Sequence, residues 1–125
     1  MAKKILFIED EAAMQKAMSD LLIAEKYEII AALDGEEGLL KAKQESPDLI
    51  LLDLVLPKKD GFTVLDELKS EEETKDIPVM VLTNLETNED IQRALDAGAR
   101  TYLVKANYEP TDVLAKIDNI LKKGV

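Results

Sequence analysis

Five short apolar runs punctuate the chain at regular intervals, and this recurrence restricts its architecture more than any other feature. The runs are Ile5-Leu6-Phe7-Ile8, Ile29-Ile30-Ala31-Ala32, Leu49-Ile50-Leu51-Leu52, Val79-Met80-Val81-Leu82 and Tyr102-Leu103-Val104. Several are continuous rather than alternating in polarity, which fits strands buried on both faces. Between them lie stretches with helical spacing. Met14, Ala17, Met18, Leu21 and Leu22 form one stripe; Gly38, Leu39 and Ala42 a weaker one; Val64, Leu65 and Leu68 a third. Ile91, Ala94, Leu95 and Gly98 form the fourth, and Val113, Leu114, Ile117, Ile120 and Leu121 the last. The expected order is strand then helix, five times over: an α/β domain, (βα)5, with a parallel sheet and right-handed crossovers.

The residues at the joints agree. Asp34 with Glu37 reads as an N-cap and its reciprocal acid. Thr87 suits the cap of the fourth helix, Gly98 its end, and Pro110 the first turn of the fifth. Pro47 and Pro78 each precede a strand, where a missing N–H is tolerated. No linker, low-complexity segment or longer repeat interrupts residues 1–125, so a single domain is expected, with no output domain attached.

Composition removes whole classes of chemistry. The chain has no Cys and no His. Thiol nucleophiles, Ser-His-Asp triads, zinc clusters of Cys and His, and a phosphohistidine of its own are all excluded. Any metal must be held by oxygen, which points to Mg2+, Mn2+ or Ca2+. The formal charge of −10 opposes binding to phosphate backbones, so no direct nucleic-acid contact is expected. No apolar run approaches membrane-spanning length and the N-terminus is too short of apolar residues for a signal peptide. A cytoplasmic location without membrane contact is the expectation.

Four of the runs stop abruptly at polar groups: Glu9-Asp10, Asp53, Thr83-Asn84 and Lys105. In a parallel sheet these ends share one edge, and ligands of open α/β sheets bind beyond it. Taken singly, each has an ordinary explanation as a helix cap, a turn residue or a solvated lysine. Together, at successive strand ends, they describe a site. Clustered carboxylates repel one another, and a hard divalent cation relieves that repulsion. A carboxylate can also act as a nucleophile and form an aspartyl phosphate. Phosphoryl transfer needs mainly positioning and charge neutralisation, which a metal at Asp10 and Asp53, the Lys105 ammonium and the Thr83 hydroxyl could supply.

These stretches resemble the receiver domains of bacterial two-component response regulators over essentially the whole chain. The similarity rests on Lys4 to Glu11, Pro47 to Asp53, Leu56-Pro57 with Asp60-Gly61, Ile77 to Thr83, and Ala97-Gly98-Ala99 through Lys105. It implies a flavodoxin-like sheet in the order 2-1-3-4-5. It implies Asp53 as phosphoacceptor, Asp10 as direct metal ligand, Glu9 acting through water and the Val55 main-chain carbonyl completing a Mg2+ or Mn2+ site. Thr83 and Lys105 match the switch hydroxyl and the phosphate-binding lysine, and Tyr102 the aromatic that reports activation. Gly61 matches the turn glycine, for which positive φ is expected. The implied partners are a histidine kinase or histidine phosphotransfer protein and a downstream effector, with an activation-dependent homodimer as one route of output. The implied role is a signalling switch that catalyses its own phosphorylation and dephosphorylation, not an enzyme acting on a separate substrate.

The chain departs from that pattern in places. Ala106 follows Lys105 where the family commonly has a cis proline, which puts the reach of Lys105 in question. Asn84 stands where a smaller residue is commoner, and Lys58-Lys59 replace a frequently apolar pair. Val55 and Leu85, two residues beyond Asp53 and Thr83, are apolar at positions that flank the attacking water in this family; a persistent phosphoryl group is expected. The alternative is a degenerate receiver acting as a phosphorylation-independent interaction module. A phosphatase of the haloacid-dehalogenase type is disfavoured because its second Asp would fall at Val55. A Rossmann-like nucleotide binder is disfavoured because no Gly-rich loop follows the first strand.

Overall fold

The computed structural model describes residues 2–123. Strands and helices alternate throughout: β1 (Lys4–Ile8), α1 (Ala12–Ala24), β2 (Glu28–Ala32), α2 (Gly35–Glu45), β3 (Leu49–Leu52), α3 (Gly61–Ser70), β4 (Val79–Thr83), α4 (Asn88–Asp96), β5 (Thr101–Val104) and α5 (Pro110–Lys123), with a single 3-10 turn at Lys105–Asn107 before α5. The five strands form one parallel sheet in the order β2-β1-β3-β4-β5. Each of the five apolar runs is a strand, and the expected order of strands holds.

Period-two alternation sends neighbouring side chains of each strand into two different cores. Leu6, Ile8, Ile50, Leu52, Val79 and Val81 pack with Leu39 and Ala42 of α2, Val64, Leu65 and Leu68 of α3, and Ala94 of α4. On the opposite face Ile5, Phe7, Leu49, Leu51, Met80 and Leu82 pack with Met18 and Leu22 of α1 and Val113, Ile117 and Ile120 of α5. The central strands are therefore apolar on both sides because both sides are covered. Burying each such Leu or Ile contributes roughly 1.5–3 kcal/mol.

The caps form as the sequence predicts. Asp34 accepts a hydrogen bond from the Glu37 amide, and Glu37 reaches back to the Leu33 amide. Thr87 accepts from the Asp90 amide, α5 begins at Pro110, and Gly98 takes φ 109° just past α4.

Some details differ from expectation. Gly61 does not have positive φ; the left-handed residue of that loop is Lys58, at φ 67°. Glycine is needed at 61 for closeness instead. A Cβ there would lie 2.3 Å from Leu54 Cα and 2.4 Å from the Asp53 carbonyl oxygen. In α1 the buried face is Gln15, Met18 and Leu22 rather than the wholly apolar stripe, and Ala17 is exposed. In α4 only Ala94 is buried, and Leu95 faces solvent.

Candidate functional site

The parallel register determines which residues meet. Ile8 pairs with Leu52, Leu52 with Val81, and Thr83 with Val104. The next residues of β1, β3 and β5 are Glu9, Asp53 and Lys105, so all three emerge at one edge. The sheet order reverses there, because α1 covers one face after β1 while α3 covers the other after β3. An open cleft of about 470 Å3 lies at this edge, lined by Glu9, Asp10, Glu11, Asp53, Val55, Asn84 and Lys105.

Carboxylate oxygens of Glu9, Asp10 and Asp53 lie within 4.8 Å of one another. Glu9 is fully buried, Asp53 is 4% exposed, and Asp10 faces solvent. The Lys105 ammonium bridges the first two, 2.6 Å from Glu9 Oε1 and 3.0 Å from Asp53 Oδ2. The loss of solvent around Glu9 raises its pKa above the ordinary carboxylate value, and the Asp53 charge adds to this against the opposing pull of Lys105. Burial works against the Lys105 ammonium too, but Glu9 and Asp53 outweigh it and raise its pKa. The Lys105 ammonium and the Glu9 carboxylate thus offset part of each other's desolvation.

The remaining carboxylate contacts are to the backbone. Asp53 Oδ1 accepts from the Val55 amide at 3.3 Å, and Glu9 Oε2 accepts from the Glu11 amide at 3.1 Å. The donor set suits a hard divalent cation. Three carboxylates converge, no softer ligand is present, and Val55 lines the same cleft.

Lys105 reaches Asp53 although Ala106 follows it. No peptide bond among the described residues is cis, and a 3-10 turn over Lys105–Asn107 carries the chain away from β5. Asn84 lines the cleft from an exposed position. Lys58 and Lys59 do not; they pair with Asp34 and Glu67.

Thr83 ends β4 at the same edge but is fully buried and is not among the residues lining the cleft. Its Oγ1 accepts from the Leu85 amide at 3.4 Å, and the Tyr102 hydroxyl donates to the Leu85 carbonyl at 2.8 Å. Leu85 therefore links the two residues. Burial, with the charges of Asp90 and Asp53, pushes the Tyr102 phenol up to about 12.

Residue-by-residue reading of the sequence missed Gln15. This buried side chain of α1 points its amide nitrogen at three main-chain carbonyls, those of Phe7, Glu9 and Ala32. The available signal was its place three residues before Met18 and seven before Leu22, on the face that turns inward.

Residues 5–118 match the response regulator receiver domain family. A DNA-binding dual master transcriptional regulator from a Synechocystis strain is 41% identical over 120 residues, which are 96% of this chain and 49% of that protein. The chain spans about half the length of the curated relatives it matches. A response regulator receiver domain protein from Methanospirillum hungatei superposes with a TM-score of 0.91 at 29% identity, covering 98% of this chain and 96% of that one. The receiver domain of a sensor histidine kinase from Pseudomonas aeruginosa, with magnesium coordinated in its active-site cleft, gives a TM-score of 0.85 at 25% identity, covering 95% and 97%. The charge of −10 describes this stretch alone; with a DNA-binding protein among the relatives, the expectation of no nucleic-acid partner is not supported. Among the described residues no helix is long and apolar enough to cross a membrane.

Proposed function

The chain belongs to the response regulator receiver domain family of two-component systems, and from that premise we propose that it is a phosphoacceptor switch in which Asp53 takes the phosphoryl group. The observation that carries this reading is the contact of Lys105 Nζ with Asp53 Oδ2 at 3.0 Å, inside a cleft that also holds Glu9 and Asp10. Residues 1–125 act as one receiver in this reading.

The donor is the phosphohistidine of a kinase or phosphotransfer protein. An oxygen of Asp53 attacks phosphorus as the bond to the donor imidazole nitrogen breaks, leaving an acyl phosphate. Asp10, Asp53 and the Val55 carbonyl would hold Mg2+ or Mn2+, with Glu9 behind them, and the cation supplies charge neutralisation for the phosphoryl oxygens. Lys105 turns from the Asp53 carboxylate to the phosphoryl oxygens, keeping its neighbour at Glu9. The Thr83 hydroxyl, whose oxygen accepts from the Leu85 amide, donates its proton to one of the new oxygens. Movement of Thr83 then alters the Leu85 carbonyl that Tyr102 holds, and so the surface of α4 and β5 presented to an effector. Dimerisation through that surface is one form the output could take.

The alternative is a degenerate interaction module, for which Ala106 gives room; the 3.0 Å contact of Lys105 with Asp53 favours the phosphoacceptor reading. The test is beryllofluoride binding. A Mg2+-dependent adduct is expected on the wild type and none on Asp53→Ala; an unchanged adduct on that variant rejects Asp53.

A further inference from the structure

Gln15 stands one helical turn inside α1, its own amide bonded to the Glu11 carbonyl at 3.0 Å. The residue is 6% exposed. Of the two ends of the carboxamide only the NH2 can donate to carbonyl oxygens, so the chemistry fixes which end faces the sheet. The nitrogen lies 2.8 Å from the Phe7 oxygen, 3.2 Å from the Glu9 oxygen and 3.1 Å from the Ala32 oxygen. Two protons thus serve three acceptors, drawn from β1, the residue after β1, and the end of β2.

The position of those carbonyls matters. β1 ends at Ile8, so the Glu9 carbonyl lies beyond the last rung of the strand and takes its donor from Gln15. The Glu9 amide is bonded to the Ala32 carbonyl at 3.0 Å, and that carbonyl also accepts from Gln15. The Glu9 side chain in turn accepts from the Glu11 amide. Both ends of the Glu9 residue and its carboxylate are therefore held, and Asp10 leaves from a peptide unit whose plane Gln15 helps to set. An apolar side chain at position 15 would leave the Phe7 and Glu9 carbonyls without that donor.

We propose that Gln15 is a positioning residue for the acidic site. Its carboxamide pins the end of β1 so that the carboxylates of Glu9 and Asp10 converge with Asp53 on a divalent cation. Gln15 touches no reacting atom and acts through the backbone of residues 7–9. The proposal rests on the metal-binding reading of the cleft given above.

Gln15→Leu keeps the approximate volume and removes the donors. Leu22→Ala opens a cavity on the same buried face of α1, two turns from the site, and serves as a control for lost stability. Mn2+ binding to each protein is measured by calorimetry at a temperature where circular dichroism reports the fold intact. Wild type is expected to bind Mn2+, Gln15→Leu to bind at least tenfold more weakly, and Leu22→Ala to stay within twofold of wild type. Gln15→Leu binding within twofold of wild type overturns the proposal, as does equal weakening in Leu22→Ala. Failure of the wild type to bind Mn2+ overturns the metal reading itself, and the role of Gln15 with it. Should Gln15→Leu not fold, NMR of the wild type decides: slow exchange of the Gln15 side-chain amide protons and a shift of their resonances on saturation with Mg2+ support the proposal, and freely exchanging, unresponsive protons refute it.

Discussion

Asp60 closes the N-terminus of α3 with three hydrogen bonds. Oδ1 accepts from the amides of Phe62 and Thr63, and Oδ2 from the Thr63 hydroxyl. Partial burial raises the carboxyl's pKa, but these bonds and the nearby Arg93 charge outweigh it and leave the pKa below the usual Asp value. Asp60→Ala should lower stability by about 0.5–2 kcal/mol, measured by urea unfolding at neutral pH. Asp60→Asn keeps a cap and removes only the charge. Because the folded pKa is depressed, the charge contributes stability above the unfolded pKa and loses it as pH falls through the folded value. The melting-temperature gap between wild type and Asp60→Asn should therefore be present at neutral pH and close in acid, below the ordinary Asp range; a gap that widens there would contradict this reading. Val55 is 58% exposed at the cleft, and Leu85 is half-buried two residues beyond Thr83. Neither side chain offers a hydrogen bond to an attacking water. Loss of phosphate from the wild type is expected to be slow, with Val55→Asn or Leu85→Glu accelerating it; the decay of phosphorylated protein over time measures this, and unchanged decay in both variants counts against it.

Among the helices, α4 has the weakest hold on the sheet. Ala94 is its one buried residue, while α5 buries Val113, Leu114, Ile117 and Ile120. Part of its attachment to α3 comes from outside the core, where the Arg93 guanidinium sits 4.0 Å above the Phe62 ring. Such a contact contributes roughly 0.5–1 kcal/mol at an exposed site. Local opening free energy follows buried apolar contact, so native-state hydrogen exchange should find the α4 amides less protected than those of α5. Equal protection in the two helices would contradict that account. A loosely held helix beside Tyr102 is also what a switch requires. The sequence hinted at this only in part. Ile91, Ala94, Leu95 and Gly98 have helical spacing, but the stripe is thin, and spacing alone does not say that Leu95 faces water.

At the scale of the whole molecule, the strands and the site edge were legible because both depend on local signals: continuous apolar runs, and the polar residue at which each stops. Strand ends that share one edge of a parallel sheet do the rest, bringing Glu9, Asp53 and Lys105 together across nearly the full length of the chain. What local signals do not carry is less legible. The Tyr27 hydroxyl bonds to Asp118, tying the turn after α1 to α5, and no periodicity announces a contact between residues so far apart. Spacing puts Gln15 on the inward face of α1, but the three carbonyls it serves come from β1, the residue after it and β2, and local sequence does not announce them. Gly61 reads as a turn residue, whereas its lack of a side chain serves the approach of α3 to Leu54 and Asp53. The reach of Lys105 belongs with these, since the path of the chain after β5 decides it. In the proposed switch, Asp53 at this sheet edge is the nucleophile of phosphoryl transfer. The protein is incubated with Mg2+ and a small-molecule phosphodonor, then reduced with borohydride, and the modified residue is mapped by mass spectrometry. Modification at residue 53, absent when Mg2+ is removed by chelation, is the predicted result; modification at any other residue, or none at all, would contradict it.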